Sequence, residues 1–253
     1  MTETEVKYLA GLIDADGSIG FEFVDNKVYL ALSIIAAESI DKHGFIKSLP
    51  TLTGAGTVCE KSRKVETWAK VAVWKMSKAK DIEMLLPRFI KHMVIKGKHC
   101  QRMLNQWQKY RSQTLTDTVI EQLKVFAKAS RADAGPVKPK KHPTWAWVAG
   151  YLDGDGSYIY KQPPSHSHPR MIVQATAHEN DKVALELLYK AFGGTLNNRG
   201  ISCPHIWDWK HSLGRSNNSF ALAFLPKVLN HSKLKKHKIE QLLAACHEST
   251  RTD

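Results

Sequence analysis

The 253-residue chain predicts a mixed α+β protein of two pseudo-symmetric halves, each built on a four-stranded antiparallel sheet. Three observations predict it. A ten-residue phrase occurs twice, as YLAGLIDADG from Tyr8 to Gly17 and as WVAGYLDGDG from Trp147 to Gly156. One register of 139 positions (155 − 16) joins the copies and carries Asp16 to Asp155, Pro87 to Pro226 and Lys96 to Lys235. Between these landmarks, each half holds apolar stretches of strand length bounded by turn residues. A repeat at this interval marks a duplicated structural unit.

The first copy of the phrase reads as an apolar helix with a small-residue pair, Ala10-Gly11, running into Asp14-x-Asp16-Gly17. Ile19 to Val24 and Val28 to Ile35 alternate as a hairpin across Asp25-Asn26. Ile40 to Leu52 reads as a helix, Thr57 to Glu60 and Thr67 to Trp74 as a second strand pair, and Lys80 to Phe89 and Lys98 to Gln113 as helices with core spacing. An additional helix, Thr116 to Ala129, follows. The second half repeats the plan: a helix with Ala149-Gly150 ending in Asp153-x-Asp155-Gly156, then strands at Tyr158 to Lys161, Met171 to Thr176, Thr195 to Asn198 and Ile206 to Ser212. The expected division is 1–129, a basic linker 130–143 containing Pro136, Pro139 and Pro143, and 144–253. Lys138, Lys140 and Lys141 in that linker are equally well read as phosphate contacts or as a solvated tether.

Composition narrows the partner. A formal charge of +13 and pI near 9.5 favour a polyanion, because basic surfaces gather nucleic acid by releasing its condensed counterions. No apolar run reaches bilayer length and MTETEVKY lacks the features of a secretory signal, so no membrane partner is expected and an intracellular location is. Cys59, Cys100, Cys203 and Cys246 are far apart and read as reduced thiols, not as a zinc site. The His166 and His168 pair in a Pro-rich segment is not taken as a metal site.

The twin phrase also points to chemistry. Small residues midway along a helix let a partner helix approach closely, so the two phrase helices are expected to pack side by side and bring Asp16 near Asp155. Adjacent carboxylates need a proton or cation between them, and hard oxygen donors of this kind suit Mg²⁺, which takes one or two carboxylates beside substrate phosphate. Asp14 and Asp153 read as structural, at helix ends or facing solvent.

The residues LAGLIDADG are letter for letter the signature of the LAGLIDADG homing endonucleases, and VAGYLDGDG is a close variant of it. The chain resembles the single-chain, two-repeat branch of that family over most of its length. The resemblance implies a monomer whose two repeats form a saddle over double-stranded DNA and cut both strands of a long asymmetric target with divalent metal, leaving short 3′ overhangs. It implies Mg²⁺ as cofactor, with Mn²⁺ an alternative and Ca²⁺ supporting binding without cleavage. It further implies metal contacts from Asp16 with the carbonyl of Ala15 and from Asp155 with that of Gly154. Intron RNA, bound by a splicing maturase of the same fold, is the alternative partner, and a catalytically idle DNA-binding regulator is a third reading. The chain begins only a few residues before the first phrase, so a free-standing enzyme is expected rather than an intein.

Further candidates follow from register and resemblance. Lys96 and Lys235 stand at matching helix starts, from which a lysine could reach the scissile phosphate or order water near it. Glu38 and His178 fall where relatives carry a polar residue that orients the attacking water, and Lys42 and Lys182 follow each by four. Base reading is expected from alternate strand residues, since a two-stranded ribbon fits the major groove. In the first half these are Gly20, Glu22, Val24, Asn26, Tyr29, Ala31, Ser33 and Ile35, then Lys61, Arg63, Trp68 and Lys70. In the second half the candidates are Lys161, Gln162, Arg170, Arg199 and Lys210, with the strand register left open by Pro163-Pro164 and Pro204. Trp207 and Trp209 are as well explained by core packing as by base stacking.

Overall fold

The computed structural model describes residues 1–37, 40–61, 71–133, 142–161, 170–213 and 217–249, with backbone alone at 36, 37, 40–43, 61, 132, 133 and 249. The chain divides into two compact units, Met1–Val137 and Lys138–Asp253. The first unit runs α1 (Glu3–Asp16), β1 (Gly17–Val24), β2 (Lys27–Ala37), α2 (Ile40–Thr53), β3 (Thr57–Lys61), β4 (Val71–Met76), α3 (Ala79–Ile90), α4 (Gly97–Tyr110) and α5 (Asp117–Asp133). Its sheet is antiparallel in the order β1-β2-β4-β3.

Local chemistry explains the sequence of elements. Thr2 and Glu5 form a capping box that starts α1: Glu5 N–H donates to Thr2 Oγ1 (3.3 Å) and Thr2 N–H to Glu5 Oε2 (2.6 Å). The helix is then buried from Val6 through Asp14 except at Lys7, as an apolar helix without a polar face must be. Asp25 and Asn26 both take left-handed backbone, φ 49° and 55°, in the two-residue loop joining Val24 to Lys27, the geometry that matches strand twist. Val28, Leu30, Leu32 and Ile34 point into the core with Trp74 and Met76, while Tyr29 and Ile35 are 40% and 44% exposed on the opposite face.

The second unit repeats this order: α6 (Trp145–Asp155), β5 (Gly156–Lys161), β6 (Arg170–His178), a 3-10 turn (Glu179–Asp181), α7 (Val183–Phe192), β7 (Thr195–Asn198), β8 (Ile206–Ser212), α8 (Asn218–Leu229) and α9 (Lys236–Ser249). The sheet order is β5-β6-β8-β7. Each sheet buries one tryptophan whose indole N–H finds a loop carbonyl, Trp74 on Ala55 (3.1 Å) and Trp209 on Gly193 (2.8 Å). Trp209 is therefore core.

Several elements end a few residues from where the sequence reading places them, and the end of α5 has a visible cause. Helix α5 continues past Ala129 to Asp133, so the first residues of the expected linker are helical. Ser130 is buried there, with its hydroxyl 3.1 Å from His99 Nδ1, and this contact between α5 and α4 extends the helix beyond its local signals. Gly17 and Gly156 do not take the left-handed conformation usual of helix-ending glycines. Their φ values are −80° and −86°, and each strand begins at once. Glycine is needed for space: a Cβ on Gly156 would lie 2.5 Å from Leu152 O, and one on Gly17 2.6 Å from Ile13 O. Gly156→Ala is expected to cost about 1–3 kcal/mol, read as a lower Tm in thermal denaturation.

Burial lowers the pKa of His92, His99 and His231, with nearby Arg131 adding to the effect at His99. The unfolded chain, with histidines at about 6.5, then binds protons that the folded chain refuses, so stability falls as pH drops below that value. Tm is expected to be lower at about pH 5.5 than at about pH 7.5. An unchanged or higher Tm in acid would contradict it. No described helix is long and apolar enough to cross a membrane. The four cysteines are free thiols, and burial pushes that of Cys100 up to about 12.

Candidate active site

Each phrase helix ends on acids, against its own dipole. A helix C-terminus carries partial negative charge, yet α1 closes on Asp14-Ala15-Asp16 and α6 on Asp153-Gly154-Asp155, with no basic residue in either last turn. A lysine from elsewhere in the unit supplies the cation. Lys96, which precedes α4, donates from Nζ to the carbonyls of Ile13 (2.9 Å), Ala15 (3.0 Å) and Gly17 (2.6 Å). Lys235, before α9, donates likewise to Leu152 (2.7 Å), Gly154 (3.2 Å) and Gly156. An ammonium has three protons, and three carbonyls at the helix end accept them.

The exchange is reciprocal. Asp14 accepts the N–H groups of Val94 (2.6 Å), Ile95 (3.2 Å) and Lys96 (2.9 Å), placing a carboxylate at the positive end of α4. Asp153 accepts from Lys233 N–H (2.7 Å), Leu234 N–H (3.0 Å) and Ser232 Oγ (2.7 Å) before α9. Both acids are buried, so the solvent-facing option for Asp14 and Asp153 does not hold and the helix-end role does. Within each unit, acid and lysine thus tie two helix ends together and hold the next acid, Asp16 or Asp155, half-exposed at the tip.

The donor set fits a hard divalent cation. Asp16 and Asp155 each offer a carboxylate beside the carbonyl of Ala15 or Gly154, all oxygen, and Mg²⁺ takes few protein ligands because it keeps its waters. Among the described residues, no three His, Cys, Asp or Glu side chains gather into a closed cage.

The more exposed sheet faces carry the other candidates. In the first unit Glu22, Tyr29 and Ser33 share one face. There Glu22 pairs with Lys75 (2.6 Å), and Ser33 and Ser18 share a hydrogen bond (2.8 Å). In the second unit, Lys161 and Arg170 pair across β5 and β6 on the face that also bears Gln174, Thr176, Lys210 and Asp208.

Solved structures with this architecture cover almost the whole chain. The crystal structure of the I-SmaMI LAGLIDADG homing endonuclease bound to cleaved DNA matches at 18% identity and TM-score 0.70, covering 97% of this chain and 88% of that one. The LAGLIDADG homing endonuclease I-GzeII in complex with its DNA target matches at 16% identity and TM-score 0.70, over 98% and 90%. The fold is that of the LAGLIDADG homing endonucleases. I-SmaMI bound to uncleaved DNA target in the presence of calcium ions matches at 18% identity and TM-score 0.70, over 98% and 91%. No family model and no curated protein matches the sequence.

On the LAGLIDADG fold the remaining sequence candidates fall in several places. Lys96 and Lys235 meet the carbonyls of Ala15 and Gly154, so in each unit the structure joins the lysine to the backbone beside the candidate metal acid. His178 ends β6, where its Nδ1 accepts Asn180 N–H (3.4 Å) and its ring stacks on His205 at 5.8 Å. Lys182 holds its ammonium 3.5 Å from the Trp207 ring centroid and 3.5 Å from Glu186 Oε1. Trp207 also donates to Glu179 Oε2 (2.7 Å). Asn26 occupies the hairpin turn, its carbonyl accepting Leu115 N–H (2.7 Å). Glu38, Arg63, Trp68, Lys70 and Gln162 lie outside the described residues, and for Lys42 and Lys61 only backbone is described. Sequence reasoning missed Lys75 and Asp208. Strand alternation from Lys210 would have found Asp208, whereas Lys75 comes beside Ser33 only through the register between β2 and β4.

Proposed function

We propose that this chain is a site-specific endonuclease acting on double-stranded DNA, one that acts as a monomer inside the cell and uses divalent metal, Mg²⁺ by preference. The observation that carries the reading is the pair of acids, Asp16 and Asp155, held against their helix dipoles by Lys96 and Lys235. Such an arrangement costs folding energy and is kept only where a negative charge is needed at that point. The sequence identity of the first phrase to the LAGLIDADG signature, the net charge of +13 and the DNA-bound neighbours of the same fold support it.

In this reading Asp16 with the Ala15 carbonyl, and Asp155 with that of Gly154, would hold a divalent cation, which would supply charge stabilisation at the phosphoryl oxygens and a more acidic water. The chain's own residues then position. Lys96 and Lys235 fix the helix ends so that each carboxylate keeps one orientation, and their positive charge offsets the repulsion between acid and approaching phosphate. The more exposed sheet faces track the duplex, their alternate side chains reading base edges. The two faces differ at nearly every position, so the target is asymmetric.

The test is selection of cleaved duplexes from a randomised library with Mg²⁺. Recovery of one asymmetric sequence cut on both strands to short 3′ overhangs is expected. Binding of a selected duplex without cleavage would make the chain a regulator, and preference for structured RNA over every duplex would make it a maturase.

A further inference from the structure

In the second unit a carboxylate stands on the face that should meet a polyanion. Asp208 lies on β8 beside Thr176 of β6 and Asn197 of β7, and its side chain is only 7% exposed. Four donors close around it. Thr176 Oγ1 (2.7 Å) and Arg199 Nη2 (2.9 Å) reach Oδ1, while Arg199 Nε (2.9 Å) and Lys210 Nζ (3.1 Å) reach Oδ2. Arg199 Nη2 also contacts Thr176 Oγ1 (3.2 Å). Burial pushes the Asp208 carboxyl up, but these hydrogen bonds outweigh it and hold the pKa down to about 2.

The cations, by contrast, reach outward. Arg199 is 45% exposed and Lys210 42%. Side-on pairing through Nε and Nη2 fixes the plane of the guanidinium and leaves Nη1, which has no hydrogen-bond partner among the described residues, pointing away from the carboxylate. A bidentate pair is the stiffest way to hold an arginine. Two cations on one carboxylate leave the cluster positive, so it attracts phosphate and acceptor-rich base edges while its geometry is set before DNA arrives. A stray surface acid would only repel.

We propose that Asp208, helped by Thr176, is a positioning residue that presents Arg199 and Lys210 as a preformed reader of guanine in the half-site contacted by the second unit. Guanine is the base chosen because its major-groove edge offers two acceptors, O6 and N7, and no donor. The proposal rests on the reading of the chain as a duplex-specific nuclease and names residues that set its specificity.

The experiment is competition binding without cleavage, in Ca²⁺, of the selected duplex against duplexes carrying each other base pair at every position of that half-site. The wild-type chain is expected to prefer guanine at one position or two neighbouring ones by about ten- to a hundredfold. Asp208→Asn and Arg199→Ala should erase that preference at the same position and leave others intact, and the double variant should lose no more than Arg199→Ala alone, because the two act as one unit. Arg199→Lys keeps a positive charge beside the buried carboxylate without the fork. It should keep affinity for the non-guanine duplexes and weaken the preference. An equal loss across all duplexes in Asp208→Asn, or undiminished guanine preference in Arg199→Lys, overturns the proposal. A wild-type chain that selects no duplex sequence at all overturns the nuclease reading with it.

Discussion

Asp16→Asn and Asp155→Asn are each expected to reduce double-strand cleavage by more than about a thousandfold while leaving the chain folded and able to bind DNA. Asparagine keeps the shape of the side chain and removes the charge that a cation needs. Both acids sit half-exposed at a helix C-terminus, where neutralising a carboxylate relieves an unfavourable dipole interaction worth about 0.3–1 kcal/mol. Stability should hold or rise slightly. Affinity measured without metal should also hold or rise, since each acid brings negative charge toward phosphate. Cleavage assays beside binding titrations and thermal denaturation decide it, and near wild-type cutting in either variant would remove that acid from the metal assignment.

Lys96→Met and Lys235→Met are expected to act on stability and on catalysis together. Each substitution deletes three charge-assisted hydrogen bonds to part-buried carbonyls, a loss of about 2–4 kcal/mol when the acceptors cannot all reach water. It also frees the turn that carries Asp16 or Asp155, so cleavage should slow by roughly ten- to a thousandfold even at temperatures where the variant is folded. Binding should change little. A variant with normal Tm but slow cleavage would show that the lysine acts on the substrate and not on the helix end. Normal Tm with normal cleavage would leave it without a role.

Much of the fold was legible in the chain because its signals are local or periodic. The duplicated phrase and the register of 139 positions set the two units. Alternation along Val28 to Ile35 set which face of β2 is buried, and Asp25-Asn26 marked its turn, because only left-handed backbone closes so short a hairpin. Strands β7 and β8 begin and end where the alternation does. Tertiary packing decided the rest. The end of α5 depends on Ser130 meeting His99, a contact between residues with no local signature.

The candidate site divides in the same way. The sequence by itself determined which residues recur, so it singled out Asp16, Asp155, Lys96 and Lys235. It also named Lys161, Arg170 and Lys210 as strand residues facing DNA, but they stand on three strands, and the register between β5, β6 and β8 is what sets them on one face. Only the tertiary structure decided what those residues touch. It showed that Lys96 and Asp14 exchange places across 82 residues, each answering the other helix's dipole, and that Arg199 is held by Asp208 rather than free on a basic face. Periodicity tells which way a side chain leaves the backbone. Its partner is set by where distant elements come to rest, and that is fixed by packing of the whole core.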